Sequence, residues 1–101
     1  MEKYNKLVRD KIPEHLDTKG LAYEQRIASL VEFKQELIKK LGEEISEFTE
    51  TPTAEELADI LEVIEALKKL PEFSEVDSIK ARKLAERGGF EKRIILKGER
   101  G

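Results

Sequence analysis

The sequence predicts a mainly α-helical single domain with a minor two-stranded β element, completed by association with further copies of itself. Three observations carry that expectation. Residues 30–50 and 52–70 both repeat apolar side chains at helical spacing. Cap and breaker residues (Ser29, Pro52, Pro71 and the Gly88–Gly89 pair) bound those segments and a third, shorter one. With 101 residues in all, two or three helices make only a thin core, which a second copy would thicken.

Residues 7–17 read as a short helix, with Leu7, Val8, Ile12 and Leu16 on its apolar side. Pro13 has no N–H to donate, so it predicts a kink or a late start. Gly20 ends the helix. In 21–28, Tyr23, Gln25 and Ile27 alternate with charged or small residues, which reads as a short strand.

Ser29 is then an N-cap, and Glu32 three residues later completes a capping box. The long helix over 30–50 carries Leu30, Leu37, Leu41, Ile45 and Phe48 as its apolar stripe. Gly42 interrupts it at a cost of about 1 kcal/mol relative to Ala. It is either a tolerated flaw or a point of close approach.

Thr51-Pro52-Thr53 makes a tight connection to the next helix, which runs from 52 or 54 to 70. Leu57, Ile60, Leu61, Ile64 and Leu67 form its stripe, and Pro71 ends it. Two N-cap frames compete. Thr53 with Glu56 matches a capping box, whereas Thr51 with Pro52 at the first helical position leaves Glu56 free. The second frame fits Pro52 better. A third helix covers 74–87, with Val76, Ile79, Ala81 and Leu84 apolar, and Gly88–Gly89 terminates it. Arg93-Ile94-Ile95-Leu96 reads as the second strand, pairing with Tyr23–Ile27 and leaning on the helices. One domain spans 1–97, and 98–101 form a loose tail.

Composition narrows the function classes. Charged residues make up 41% of the chain and the net charge is −3, so non-specific nucleic-acid binding, which needs a cationic surface, is disfavoured. No Cys is present, which excludes disulfides and thiolate-held zinc and fits a cytoplasmic setting. No apolar run reaches membrane-spanning length, and the opening lacks a secretory signal.

The chemistry sits in two acidic clusters. Glu43-Glu44-x-x-Glu47 lies on the first long helix and Glu56-x-x-Asp59 on the second. Spacing of i,i+3 keeps each pair on one face. Two antiparallel helices joined by a tight turn then point Glu44, Glu47, Glu56 and Asp59 at one another. Glu44 falls three residues after Leu41 and four before Phe48, within the apolar stripe, and Glu56 falls four before Ile60. Glu47 and Asp59 border the stripes, whereas Glu43, Glu62 and Glu65 turn towards solvent. An inward carboxylate loses hydration unless it is paired or metal-bound. Lys34, more than two turns away, is the one basic residue the stripes offer. An all-oxygen ligand set selects a hard ion, Mg²⁺ or Mn²⁺, which usually works on phosphates.

These residues carry a resemblance. The chain resembles the MazG-like and phosphoribosyl-ATP pyrophosphohydrolase superfamily of all-α nucleotide pyrophosphohydrolases, over nearly its whole length. The two acidic motifs resemble that superfamily's metal signature. The opening Tyr4-Asn5-Lys6-Leu7-Val8-Arg9-Asp10-Lys11-Ile12-Pro13 and the closing Arg87-Gly88-Gly89-Phe90 resemble its compact single-domain branch. The resemblance implies a MazG-like helical bundle that hydrolyses a nucleoside triphosphate between the α and β phosphates. It implies Glu44, Glu47, Glu56 and Asp59 as Mg²⁺ ligands, with Mn²⁺ a possible substitute. Glu43 would support them, and Glu43, Glu44 and Glu47 form the implied catalytic group. Relatives in the superfamily are dimers or higher oligomers. The short gap between the motifs departs from many relatives and leaves the substrate open.

Basic residues are candidates for holding phosphates: Lys6, Arg9 and Lys11 in the opening motif, and Lys80, Lys83 and Arg87 at helical spacing before the glycines. Asn5, Lys6 and Arg9 gain weight from the motif. His15 reads as a surface residue, and Tyr23 and Phe90 read as core or sheet packing sooner than base stacking. Competing functions are phosphoribosyl-ATP hydrolysis and a non-catalytic module whose acidic cluster binds a cation or a basic partner. The cluster's inward placement separates the last from an enzyme.

Overall fold

A computed structural model describes residues 5–99. Tyr4 of the opening motif and the last two residues of the tail lie outside that range. Four α-helices and one 3₁₀ turn make up the regular structure: α1 (Ile12–Thr18), α2 (Leu30–Glu50), α3 (Ala54–Lys68), the 3₁₀ turn Pro71–Phe73, and α4 (Val76–Arg87).

Pro13 sits in the first turn of α1, where its missing N–H costs nothing, so the helix starts late and residues 7–11 stay outside it. Gly20 adopts φ +68° just past the end of α1. Its N–H donates to the Asp17 carbonyl, and the Leu21 N–H donates to the Leu16 carbonyl. That pair of bonds closes the helix and requires the left-handed residue that glycine supplies.

The Ser29 hydroxyl accepts from the Glu32 N–H and starts α2 at the expected residue. The reciprocal half of the box is absent, because the Glu32 carboxylate takes both guanidinium nitrogens of Arg26 at 2.6 Å.

Thr53, not Thr51, caps α3: its hydroxyl accepts from the Glu56 N–H at 3.3 Å. Pro52 therefore precedes the helix, which corrects the preferred sequence frame. Glu56 is free all the same. The Thr53 N–H donates to the Thr51 carbonyl at 2.8 Å, so the Glu56 carboxylate has no backbone donor to satisfy.

Helices α2 and α3 form the one extensive helix pair, and a three-residue link makes them antiparallel neighbours. Leu37 on α2, Val63 on α3 and Leu70 just beyond α3 are the buried core. Leu7, Phe33, Leu41, Ala66, Leu67 and Phe73 pack against it. Pro71 turns the chain through the 3₁₀ segment, and α4 follows with no buried residue. Gly88 ends α4 at φ +78°.

The two-stranded element is not formed, and no strand occurs among the described residues. Ile27, Ile95 and Leu96 are almost fully exposed, so neither segment has the helical support that a two-stranded sheet needs. Arg93 has φ +54°, outside the extended region, which breaks the second segment at its first residue. Phe90 is also exposed, and the Tyr23 hydroxyl donates to the Asp17 carboxylate at 2.8 Å, so neither ring packs in a core or a sheet. His15 is at the surface as expected. No helix among the described residues is long and apolar enough to cross a membrane.

Candidate metal centre

The α2–α3 pair brings three of the four inward carboxylates together. Glu44, Glu56 and Asp59 each offer an oxygen, and these atoms lie within 4.8 Å of one another. The side chain of Glu44 is only 12% exposed. Glu44 Oε2 and Glu56 Oε2 are buried and accept no hydrogen bond. Those two atoms come from different helices, and no described residue donates a hydrogen bond to them.

Burial raises the pKa of Glu44, the neighbouring Glu47 and Asp59 charges raise it further, and Lys40 partly offsets them. Burial raises the Glu56 carboxyl as well, helped by Glu47, Asp59 and Glu55. Both groups therefore lack enough nearby positive charge to favour their anionic form. Glu47 is exposed and does not join the 4.8 Å set, yet its charge reaches both buried neighbours. Glu43 is also exposed and turns away, lining a shallow cleft with Lys6, Leu7, Glu36, Lys39 and Lys40.

Two cations pair with the cluster's carboxylates, Lys40 and the phosphate-binding candidate Arg9. Lys40, one turn before Glu44, stands 3.8 Å from its Oε1. Its i,i+4 spacing made that contact legible. The Arg9 guanidinium donates to Asp59 Oδ1 at 2.7 Å across fifty residues of sequence. Leu7 packs against the core two residues earlier, so an apolar anchor carries Arg9 to α3. Lys34, the one basic residue expected near the stripes, instead pairs with Glu72 at 2.8 Å and lies 5.4 Å from the Phe73 ring centre.

The remaining phosphate-binding candidates are not gathered at the cluster. Asn5 and Lys6 are exposed on the opening segment. Lys83 and Arg87 are exposed on α4 and form no ion pair among the described residues. α4 follows the far end of α3, where Lys68 bridges to Asp77 at 3.1 Å. Lys68 is nine residues, or about 14 Å of helix, from Asp59.

The donor set is all oxygen, anionic and partly desolvated, the chemistry a hard divalent cation takes. The two orphaned oxygens fit that ion: it would supply the partner that no described residue gives them. Scanned against protein-family models, the chain matches none. No curated protein and no solved structure matches it either.

Proposed function

We propose that the chain is a Mg²⁺-dependent nucleotide pyrophosphohydrolase, with Mn²⁺ as an alternative ion. The observation that carries this reading is the pair of buried, unpartnered carboxylate oxygens, Glu44 Oε2 and Glu56 Oε2, on facing helices. The acidic motifs' resemblance to MazG-like and phosphoribosyl-ATP pyrophosphohydrolases supplies the reaction.

Glu44, Glu56 and Asp59 hold the ion, with Glu47 completing the set or facing the attacking water. A bound divalent cation neutralises phosphate charge and orients the scissile anhydride. Water attacks the α phosphorus, the bond from that phosphorus to the bridging oxygen breaks, and pyrophosphate leaves with the electron pair. The exposed Glu47 accepts the water's proton. Arg9, 54% exposed beside Asp59, is the cation best placed to meet a phosphate. Non-standard nucleoside triphosphates are the proposed substrates, in the cytoplasm, with the chain assembled as a homo-oligomer.

Product analysis tests this. Purified protein is incubated with Mg²⁺ and a panel of nucleoside triphosphates, with and without chelator. Chelator-sensitive release of pyrophosphate and monophosphate is the expected result. Orthophosphate with diphosphate overturns the bond assignment. No product from any nucleotide or from phosphoribosyl-ATP, with Mg²⁺ still raising the melting temperature, favours the non-catalytic module.

A further inference from the structure

The basic stretch that the carboxylate cluster leaves out has a surface of its own. Residues 78–97 hold seven cations against two carboxylates, a net +5, in a chain whose total is −3. The remaining residues therefore sum to −8. Charge divided in this way suits the +5 stretch to an anionic partner, whatever the sign of the whole chain.

The stretch extends beyond the hairpin. With 21 residues α2 is about 31 Å long, whereas the molecule extends 56 Å. α4 buries no residue, and α2 and α3 remain the one extensive helix pair. The twelve residues of α4 carry the chain about 18 Å onward to Gly88. That is more than twice the screening length of about 8 Å at physiological salt, so the hairpin's carboxylates are largely screened from a partner at the end of α4.

Past α4 the chain turns back on itself. The Arg93 N–H donates to the Phe90 carbonyl at 3.1 Å, which closes a turn at the tip. Arg87, Lys92 and Arg93 line a concavity of about 480 Å³, together with the Glu91 carboxylate. Glu91 folds back towards Gly89, where a Cβ would come 2.9 Å from its Oε2. Among the described residues none of the three cations forms an ion pair.

Four large apolar side chains surround those cations. Phe90, Ile94, Ile95 and Leu96 are 96%, 69%, 92% and 90% exposed. Ile95 and Leu96 are neighbours outside any helix, so their side chains do not share a face. A rigid protein surface covers a segment from one side and would leave one of them in water. A nucleic acid meets the cations and stacks on Phe90, but it has no partner for three aliphatic side chains. The interfacial layer of a bilayer is fluid and takes in side chains on every side, and an anionic leaflet gives each cation a counter-charge.

We propose that residues 87–97 dock on an anionic phospholipid surface, with a lipid phosphate in the concavity between Arg87, Lys92 and Arg93 and the four apolar side chains in the interfacial layer. A net charge of +3 and the exposed apolar side chains supply the two signals that attachment to a leaflet combines. The carboxylate cluster stays in solution, beyond the contact. The assignment stands whether or not that cluster turns over nucleotides.

Sedimentation of the full chain with vesicles tests it. Vesicles of equimolar phosphatidylcholine and phosphatidylserine should take the protein down, and high salt should release it. Phosphatidylcholine alone should bind at least about 10-fold more weakly. Ile95→Glu should weaken binding to the mixed vesicles at least about 10-fold. Ile27→Glu is its control: that isoleucine is also 92% exposed and takes the same charge change outside the stretch. Its binding should stay within about two-fold of the wild type. Lys92→Gln combined with Arg93→Gln removes two cations and should weaken binding about 25-fold, since each is worth about five-fold near such a leaflet. Circular dichroism checks that every variant keeps its helix content. Protein that stays in the supernatant overturns the proposal, and so does equal binding to phosphatidylcholine alone. Equal losses in Ile27→Glu and Ile95→Glu reduce the contact to net charge and overturn it too. A single-stranded oligonucleotide tests the other anionic partner. Its retention without vesicle binding, lost in the Lys92→Gln, Arg93→Gln chain, assigns the stretch to nucleic acid instead.

Discussion

Replacing Glu44 by Gln isolates the electrostatic cost of the acidic cluster. The substitution keeps the shape and removes one anion whose outer oxygen is buried without a partner. A neighbouring carboxylate oxygen stands no more than 4.8 Å away. Repulsion at that separation is worth about 1 kcal/mol in water and about 3.5 kcal/mol at an effective dielectric constant of 20. Lys40 loses its partner in the exchange, a half-kilocalorie effect at most for an i,i+4 pair (about 0.5 kcal/mol). Glu44→Gln should therefore stabilise the cation-free protein by about 0.5–3 kcal/mol. For a domain of this size each kilocalorie raises the melting temperature by about 4–8 °C. Calorimetry in chelator reads that gain. The same scan with millimolar Mg²⁺ should show the wild type rising and the variant rising much less. A variant less stable than wild type in chelator, or one that keeps the full Mg²⁺ response, refutes the reasoning. The first outcome would mean the carboxylate is held by contacts that outweigh its repulsion, the second that Glu44 holds no ion.

Other perturbations follow from the same geometry. A carboxyl whose folded pKa lies above its unfolded value favours folding when protonated, so its penalty is full at neutral pH and vanishes below the unfolded pKa. Glu44 and Glu56 are both of that kind, so stability in chelator should rise as pH falls from 7 towards 5. At lower pH Glu32 acts the other way, because Arg26 holds its pKa down and that contribution is lost on protonation. A stability curve that falls monotonically from pH 7 would remove the cluster as its main titrating feature. Arg9→Gln should cost about 0.5–1 kcal/mol in chelator, the range of an exposed ion pair, and less when Mg²⁺ supplies the missing charge. Equal losses with and without Mg²⁺, measured by urea denaturation, would make Arg9 a plain surface partner. Thr53→Ala should cost about 1 kcal/mol while Thr51→Ala stays within about 0.5 kcal/mol. The reverse order would restore Thr51 as the cap.

The helical hairpin was legible because its signals are local. Ser29 accepts from the N–H three residues on, and Pro71 stops α3 soon after Lys68. The i,i+3 acidic pairs are legible for the same reason, and so is Lys40, four residues before Glu44. The cap of α3 is harder, since Thr51 and Thr53 both flank Pro52 and only the Glu56 N–H bond to the Thr53 hydroxyl decides between them. Alternation in 21–28 and the apolar run in 93–96 predict strands, but such segments need a face to pack on and the described chain offers none. Stripe positions were misread in part for a related reason. Leu57, Leu61 and Ile45 are apolar at helical spacing, yet they lie to the side of the inward line that Leu37 and Val63 define. Periodicity finds the apolar arc of a helix; it does not say which part of that arc an intrachain neighbour covers. Arg9 meets Asp59 only after fifty residues of chain have folded, so no spacing rule reaches it.

Charge balance at the cluster links these features to the ion it suits. Glu44, Glu47, Glu56 and Asp59 bring four negative charges, and Lys40 and Arg9 bring two positive ones. Carboxylates outnumber cations there, Glu55 adds to the excess at Glu56, and a divalent cation offsets more of it than a monovalent one. Packing alone gives no reason for it. Apolar residues at 44 and 56 would fill the same inward arc without repulsion, and a third lysine would neutralise one carboxylate but leave the other orphaned oxygen unmet. Glu44, Glu56 and Asp59 would hold a divalent cation there, and its charge would offset the burial of Glu44 Oε2 and Glu56 Oε2. The cost of holding two desolvated carboxylates together in the free protein would then favour uptake of the proposed ion.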